Sequence, residues 1–94
     1  MEINWAELEK KYTTFQIRVW KELVKIPRGG TRTYKEVAIA IGNPKSYRAV
    51  ANACGKNPLQ IIIPCHRVVG TNNLGGYKWG IEKKKELLKS EREE

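Results

Sequence analysis

Thr33-Tyr-Lys-Glu-Val-Ala-Ile-Ala-Ile-Gly42, continuing into Asn43-Pro-Lys-Ser-Tyr-Arg-Ala-Val-Ala-Asn-Ala-Cys-Gly55, is the stretch that decides the fold. Thr33 and Glu36 have the spacing of a capping box, in which each side chain bonds the other residue's backbone N–H. Tyr34, Val37, Ala38 and Ile41 recur at i, i+3, i+4 and i+7, so they line one face of a helix. Gly42 is a natural C-terminal stop. Asn43-Pro44 reads as the N-cap and first residue of a second helix, which runs to Cys54 and closes at Gly55. Ala49, Val50, Ala53 and Cys54 sweep an apolar arc of that helix, while Lys45, Arg48 and Asn52 share another. Two short helices joined by a glycine-containing turn in a basic region have the pattern of a helix-turn-helix.

On the N-terminal side, Thr13 and Gln16 repeat the capping-box spacing. Phe15, Val19, Leu23 and Ile26 then fall within about 80° of arc, with Trp20 at its edge. Arg18, Lys21 and Lys25 occupy the opposite side, and Pro27-Arg-Gly-Gly30 ends the helix. Asn4–Lys11 reads as a shorter helix. On the C-terminal side, Leu59-Gln-Ile-Ile-Ile63 is too β-branched and too short for a helix. It reads as a buried extended segment delivering Pro64-Cys65-His66-Arg67. Val68-Val69 and Leu74 flank Gly70-Thr-Asn-Asn73, which suggests a hairpin or wing. Gly75–Gly80 is a loop with two aromatics. Ile81 to about Ser90 forms a last helix, with Glu93 and Glu94 as solvent tail. The expected fold class is therefore mainly α: a winged-helix-like helix-turn-helix domain with a small β-hairpin and a C-terminal helix. At 94 residues the chain is expected to be one domain, residues 1–94, with one modest core.

Eighteen Lys+Arg against ten Asp+Glu leave a formal charge of +8. All ten acids are Glu. Residues 31–60 carry five basic groups and one acidic group, net +4, and the segments on either side carry +2 each. A charge concentrated on the helix-turn-helix points to a polyanionic partner, against the plainer alternative of a merely solvated surface. The longest apolar run, Leu59–Ile63, is broken by Gln60 and far too short to span a bilayer. Met1-Glu2-Ile3-Asn4 lacks the basic-then-apolar order of a leader. A soluble cytoplasmic protein, monomeric and without a membrane partner, is the expectation. Two cysteines make no disulfide framework, and with one histidine they cannot supply four zinc ligands. Neither a metal nor a cofactor is expected.

The two cysteines sit in different settings. Cys54, on an apolar helix arc, reads as a small buried hydrophobe. Cys65 follows a proline and adjoins the single histidine, His66. A free thiol with pKa ~8.5 is mostly protonated at neutral pH and needs a base to become a nucleophile. His66 is the natural one, acting through a bridging water. An anionic group orienting that histidine has to be a glutamate. On these residues alone, a structural histidine beside an inert cysteine stays open.

Ile63-Pro-Cys-His-Arg-Val-Val69 resembles the active-site motif of the alkylguanine-DNA alkyltransferases, also called methylated-DNA–protein-cysteine methyltransferases. The resemblance extends to Gly42-Asn-Pro-Lys45, Arg48-Ala-Val50, Asn57-Pro58, Gly76-Tyr-Lys-Trp-Gly80 and Leu87-Leu88 with Glu91. It covers about residues 13–91, and the Tyr77-Lys-Trp-Gly80 stretch looks most like the C-terminal module of the bacterial adaptive-response protein. Little chain precedes Thr13, so a minimal version carrying the catalytic, DNA-binding module is expected.

The resemblance implies DNA repair by one irreversible transfer. Guanine alkylated at O-6 in duplex DNA, or alkylated thymine, would be flipped out of the stack, and Cys65 would take the alkyl group. His66 would be the base and Glu91 its orienting carboxylate. Asn57 would brace the active-site turn, and Tyr34 would help turn out the nucleotide and donate to the leaving guanine. Backbone near Cys65 and Val68 would read the guanine amino group. Tyr77 and Lys78 would cover the base, with Lys84 near the pocket. Arg48 would fill the gap in the duplex from the minor groove, and Lys45, Asn43, Lys35, Ser46 and Thr71 are further candidates for DNA contact. Two other readings compete with this one. Alkyltransferase-like proteins bind such lesions without a reactive cysteine, which Cys65 argues against. A regulator reading base edges has no use for a Cys-His pair, and the slim, Ala-rich helix offers it few base-reading side chains.

Overall fold

In the computed structural model, which describes residues 3–93, three helices start at the caps their sequences offer. The leader reading of Met1-Glu2 and the tail reading of Glu94 lie outside the described residues. Helix α1 is Trp5–Lys11, capped by Asn4, whose side chain accepts from the Glu7 N–H at 3.1 Å. Helix α2 is Thr14–Leu23, with the Thr13/Gln16 box closed in both directions at 2.9 and 3.1 Å. Strand β1 (Arg32–Thr33) leads straight into α3 (Tyr34–Ala40), where the Thr33/Glu36 box is also complete. Helix α4 is Tyr47–Gly55. A single 3-10 turn, Cys65–Arg67, precedes β2 (Val68–Val69), and α5 is Ile81–Arg92. Each of the side-chain caps at Asn4, Thr13 and Thr33 contributes about 1 kcal/mol. None of these helices is long and apolar enough to cross a membrane.

Helix α2 is the platform for the helix-turn-helix. Trp20 is fully buried, and its indole N–H donates to the Ala53 carbonyl at 2.9 Å, fastening α2 to α4. Val19, Leu23, Val37, Ala38, Val50, Ile63 and Val68 close around it. Arg18 donates to the Ile41 carbonyl at the end of α3, a cation on the negative end of that helix's dipole. A core tryptophan cut to alanine costs about 3–5 kcal/mol, so α4 is held firmly against α2.

Three local expectations give way. The second helix of the motif starts later than Asn43-Pro44. Gly42, at φ 79°, ends α3 in the left-handed region, and Asn43–Ser46 form a turn in which the Ser46 N–H and hydroxyl both donate to the Asn43 carbonyl (3.0 and 2.7 Å). Ser46 is the N-cap of α4. The two-stranded element is not a hairpin about residues 70–73. β2 pairs in parallel with β1, Arg32 opposite Val68 and Thr33 opposite Val69, a partner supplied from before the helix-turn-helix. Leu59–Ile63 is not extended but a tight turn, with the Ile63 N–H on the Leu59 carbonyl at 3.0 Å. Ile61 stands at φ 71°, a conformation costing an L-residue roughly 1–2 kcal/mol. Ile61 and Ile62 are exposed, and only Ile63 enters the core.

Candidate active site

The Cys65–Arg67 turn is buried because everything that packs on it is anchored elsewhere. Asn57, just past α4, is fully buried and acts as the brace. Its Nδ2 donates to the Ile63 carbonyl at 2.7 Å and to the Cys65 sulfur at 3.2 Å, and its Oδ1 accepts from the Leu59 N–H at 2.9 Å. One side chain thus satisfies the turn before the cysteine and touches the thiol. Burial pushes the Cys65 thiol up, while the Asn57 hydrogen bond and the Lys84 charge pull it part of the way back.

His66 is fully buried, with Nε2 2.8 Å from Glu91 Oε2. Nδ1 is buried and has no hydrogen-bond partner among the described residues. An ionised Glu91 can only accept, so Nε2 carries the proton and Nδ1 presents a lone pair. Burial pushes the imidazole below its ordinary value, and the Glu91 hydrogen bond opposes that only in part. Glu91 also takes a fork from Arg67: Nε to Oε1 and Nη2 to Oε2, both at 2.9 Å. Burial alone would raise the Glu91 carboxyl, but the Arg67 and His66 hydrogen bonds overcome it and hold it down to about 2. Arg67 Nη1 donates in turn to the Ile26 carbonyl at 2.9 Å. The inward face of α5 is Lys84, Leu88 and Glu91, at i, i+4 and i+7; Leu87 is only half-buried, so the face is turned one residue from a Leu87/Glu91 stripe.

Lys84 is fully buried, and its ammonium donates to the carbonyls of Val68 (2.7 Å) and Gly76 (2.9 Å), tying β2 to the following loop. It also lies 5.9 Å from the centre of the Tyr34 ring. That loop closes a cavity of about 270 Å3 lined by Tyr34, Ala51, Cys54, Gly55, Cys65, Gly76, Tyr77 and Lys78. Lys78 donates to the Asn57 carbonyl at 3.0 Å. Val68 is buried in β2 and does not line the cavity. Burial pushes both the Tyr34 hydroxyl and the Cys54 thiol up to about 12. Tyr34 therefore keeps its proton at neutral pH, and Cys54 stays a neutral thiol. Gly75 has φ 73°, and a Cβ there would sit 2.6 Å from the Tyr34 hydroxyl oxygen, so only glycine lets loop and ring meet.

The structure brings Tyr34, Asn57, Cys65, His66, Tyr77, Lys78, Lys84 and Glu91 around one cavity and the turn beneath it. Lys35 and Thr71 share a second groove with Tyr34 and Tyr47, and Lys35 lies 5.5 Å over the Tyr47 ring. Arg48, Lys45 and Asn43 are exposed at the start of α4, and Ser46 is half-buried as its cap. Arg67 and Gly75 were not singled out by sequence reasoning. The signal available for Arg67 was its adjacency to the single histidine in a chain whose acids are all glutamate.

The chain is similar to known proteins in both sequence and fold. The family described as "6-O-methylguanine DNA methyltransferase, DNA binding domain" matches residues 14–93. A probable methylated-DNA–protein-cysteine methyltransferase of Acanthamoeba polyphaga mimivirus is 63% identical over 86 residues, 92% of this chain and 58% of that protein. The bifunctional transcriptional activator/DNA repair enzyme Ada of Escherichia coli is 53% identical over 92% of this chain and 25% of its own length. The crystal structure of Mycobacterium tuberculosis OGT in complex with DNA superimposes with a TM-score of 0.86 at 51% identity, covering 88% of this chain and 52% of that one. The chain thus spans from a quarter to somewhat over half the length of the relatives it matches.

Proposed function

This chain belongs to the 6-O-methylguanine DNA methyltransferase family, and from that premise we propose that it repairs duplex DNA by moving an alkyl group from O-6 of guanine to Cys65, once per molecule. The observation that carries this reading is a buried cysteine, held by Asn57 at 3.2 Å, facing a cavity beside a histidine whose outer nitrogen is bonded to a carboxylate. The residues from Tyr34 to Glu91 hold both the chemistry and the DNA-binding helices in one unit.

A stacked base cannot present its O-alkyl carbon to a thiolate, so the nucleotide is turned out into the cavity. Arg48, exposed early on α4, fills the space left behind, with Lys45, Asn43, Lys35, Ser46 and Thr71 along the phosphates. The sulfur attacks the alkyl carbon in line; the S–C bond forms as the C–O bond breaks. The Cys65 proton passes through a water to His66 Nδ1. The electron pair left on guanine is met by a proton from Tyr34, and return of the His66 proton to Tyr34 restores both groups. A thioether is not readily hydrolysed, so the product accumulates. Guanine, or thymine, alkylated in DNA is the substrate, and a cytoplasmic, nucleoid-associated location goes with it.

Incubating the protein with duplex DNA containing O-6-methylguanine and weighing the intact chain tests this. A gain of one methyl, mapped to the Cys65 peptide, is the expected result. An unchanged mass with retained DNA binding would make the protein a lesion binder instead.

A further inference from the structure

Arg67 is the one charged side chain of the active-site turn with no part in the transfer as described. Its placement is nonetheless highly constrained. Nε and Nη2 take both oxygens of Glu91, Nη1 takes the Ile26 carbonyl, and all three contacts are 2.9 Å. The guanidinium is mostly buried, with 14% of its side chain exposed. A planar fork locked at both ends fixes the plane of the carboxylate it grips. Glu91 Oε2 is therefore aimed at His66 Nε2 before any substrate arrives.

The clamp has an electrostatic consequence. A buried carboxylate facing a histidine alone favours the imidazolium, because the opposite charge one hydrogen bond away attracts the added proton. A histidine already protonated cannot take a proton from Cys65. With Arg67 present, the negative charge of Glu91 is matched before His66 gains one. The other groups bearing on His66 are Lys84 and Glu91 from α5, and Arg67 from its own turn. Cys65 adjoins it, and the Tyr77 ring of the 70–80 loop stands edge-on with centroids 6.4 Å apart. The buried Ile26 segment after α2 contributes only its carbonyl to the clamp. Of these, Arg67 and Lys84 oppose a charge on His66 and Glu91 favours it.

We propose that Arg67 is a positioning residue for the transfer: by clamping both oxygens of Glu91 it keeps His66 neutral, with the proton on Nε2 and Nδ1 free to receive the proton of Cys65. This deepens the alkyl-transfer reading and rests on it for its purpose, but the state of His66 can be measured without any substrate.

The chain has one histidine, so its imidazole signals in a 15N NMR spectrum need no assignment. In the wild-type protein the expected spectrum at pH 7 is that of the neutral Nε2–H tautomer, titrating below about 6.5. Arg67→Gln is expected to raise that midpoint by about one pH unit, the low end for an opposite charge left to act unshared. Arg67→Lys keeps a charge beside Glu91 and is expected to stay within about half a unit of wild type. Single-turnover transfer by Arg67→Gln should then fall several-fold more at pH 6 than at pH 8.5, about tenfold being the ceiling for a one-unit shift, whereas a purely structural loss would be uniform across pH. A wild-type His66 that is charged or Nδ1-protonated at pH 7 overturns the proposal even if no variant folds. So does an unshifted or lowered midpoint in folded Arg67→Gln. Failure of methyl transfer with the expected titrations would instead count against the alkyl-transfer reading alone.

Discussion

The side-chain nitrogen of Asn57 lies 3.2 Å from the sulfur of Cys65 and 2.7 Å from the carbonyl of Ile63, two residues earlier. The same amide that shapes the turn therefore touches the Cys65 thiol. Replacing Asn57 by Ala strips partners from the half-buried Leu59 N–H and the buried Ile63 carbonyl. The expected loss is about 2–4 kcal/mol of stability, seen as a melting temperature lower by roughly 10–20 °C for a domain of this size. A variant that melts like the wild type would show that the turn holds itself.

The two thiols should behave oppositely although they line one cavity. Cys54, pushed up to about 12, remains neutral, and Cys54→Ser is expected to transfer methyl within a few-fold of the wild-type rate. Cys65→Ser should transfer none while still binding DNA, because phosphate contacts supply most of the affinity. A peptide map with methyl on Cys54 reverses the assignment.

Gly75→Ala probes the approach of the loop to Tyr34. The added methyl would fall 2.6 Å from the Tyr34 oxygen at a backbone φ of 73°, so either ring or loop must move. Transfer on duplex DNA is expected to slow by at least about tenfold, with a stability cost of about 1–2 kcal/mol from the backbone conformation alone. Rates equal to wild type would place Tyr34 outside the proton path.

Arg48→Ala should separate base flipping from chemistry. Unstacking a base costs on the order of a few kcal/mol, and only the duplex reaction bears it. Repair of duplex DNA is expected to slow far more than reaction with the free alkylated base. Equal slowing on both substrates removes Arg48 from the flipping step.

Glu91 ties stability to pH. Its carboxyl sits at about 2 in the folded protein against an ordinary 4.5. A lowered folded value means stability that is present above the unfolded value and lost as pH falls toward the folded one. The contribution is roughly 3 kcal/mol, so the gap in unfolding free energy between wild type and Glu91→Gln should shrink by about that much between pH 6 and pH 2. A constant gap across that range would mean that the Arg67 fork does not hold the carboxylate ionised. At neutral pH the same variant is expected to transfer about 10²-fold more slowly.

The elements legible in the sequence are those whose cause is local. Thr13/Gln16 and Thr33/Glu36 announce helix starts because donor and acceptor are three residues apart. Gly42 marked the end of a helix, but not how many residues the next turn would use, so the start of α4 was placed at Asn43 instead of Ser46. The parallel pairing of Arg32–Thr33 with Val68–Val69 left no periodic trace, since its partners lie on opposite sides of the helix-turn-helix. The Ile61 turn looked like a strand because β-branching is a local preference, and Asn57, which imposes the turn, acts through buried hydrogen bonds. At the site, Cys65 and His66 stood out by chemistry, and Tyr34, Asn57, Lys84 and Glu91 came through the family resemblance. Arg67 stayed unread because its importance lies in what it grips, 24 and 41 residues away.

Those separations also decide when the site can first exist during synthesis. A ribosome delivers His66, with Cys65 just ahead of it, 25 residues before the carboxylate bonded to that histidine, at roughly 5–20 residues per second. For that interval the nascent chain holds a helix-turn-helix and a thiol but not the polar network beneath them. Contacts that span so much chain are also the slow ones to form. Helix α5, made after every other element the site uses, is therefore the one that completes it, and a copy interrupted before α5 holds Cys65 without the carboxylate that orients His66.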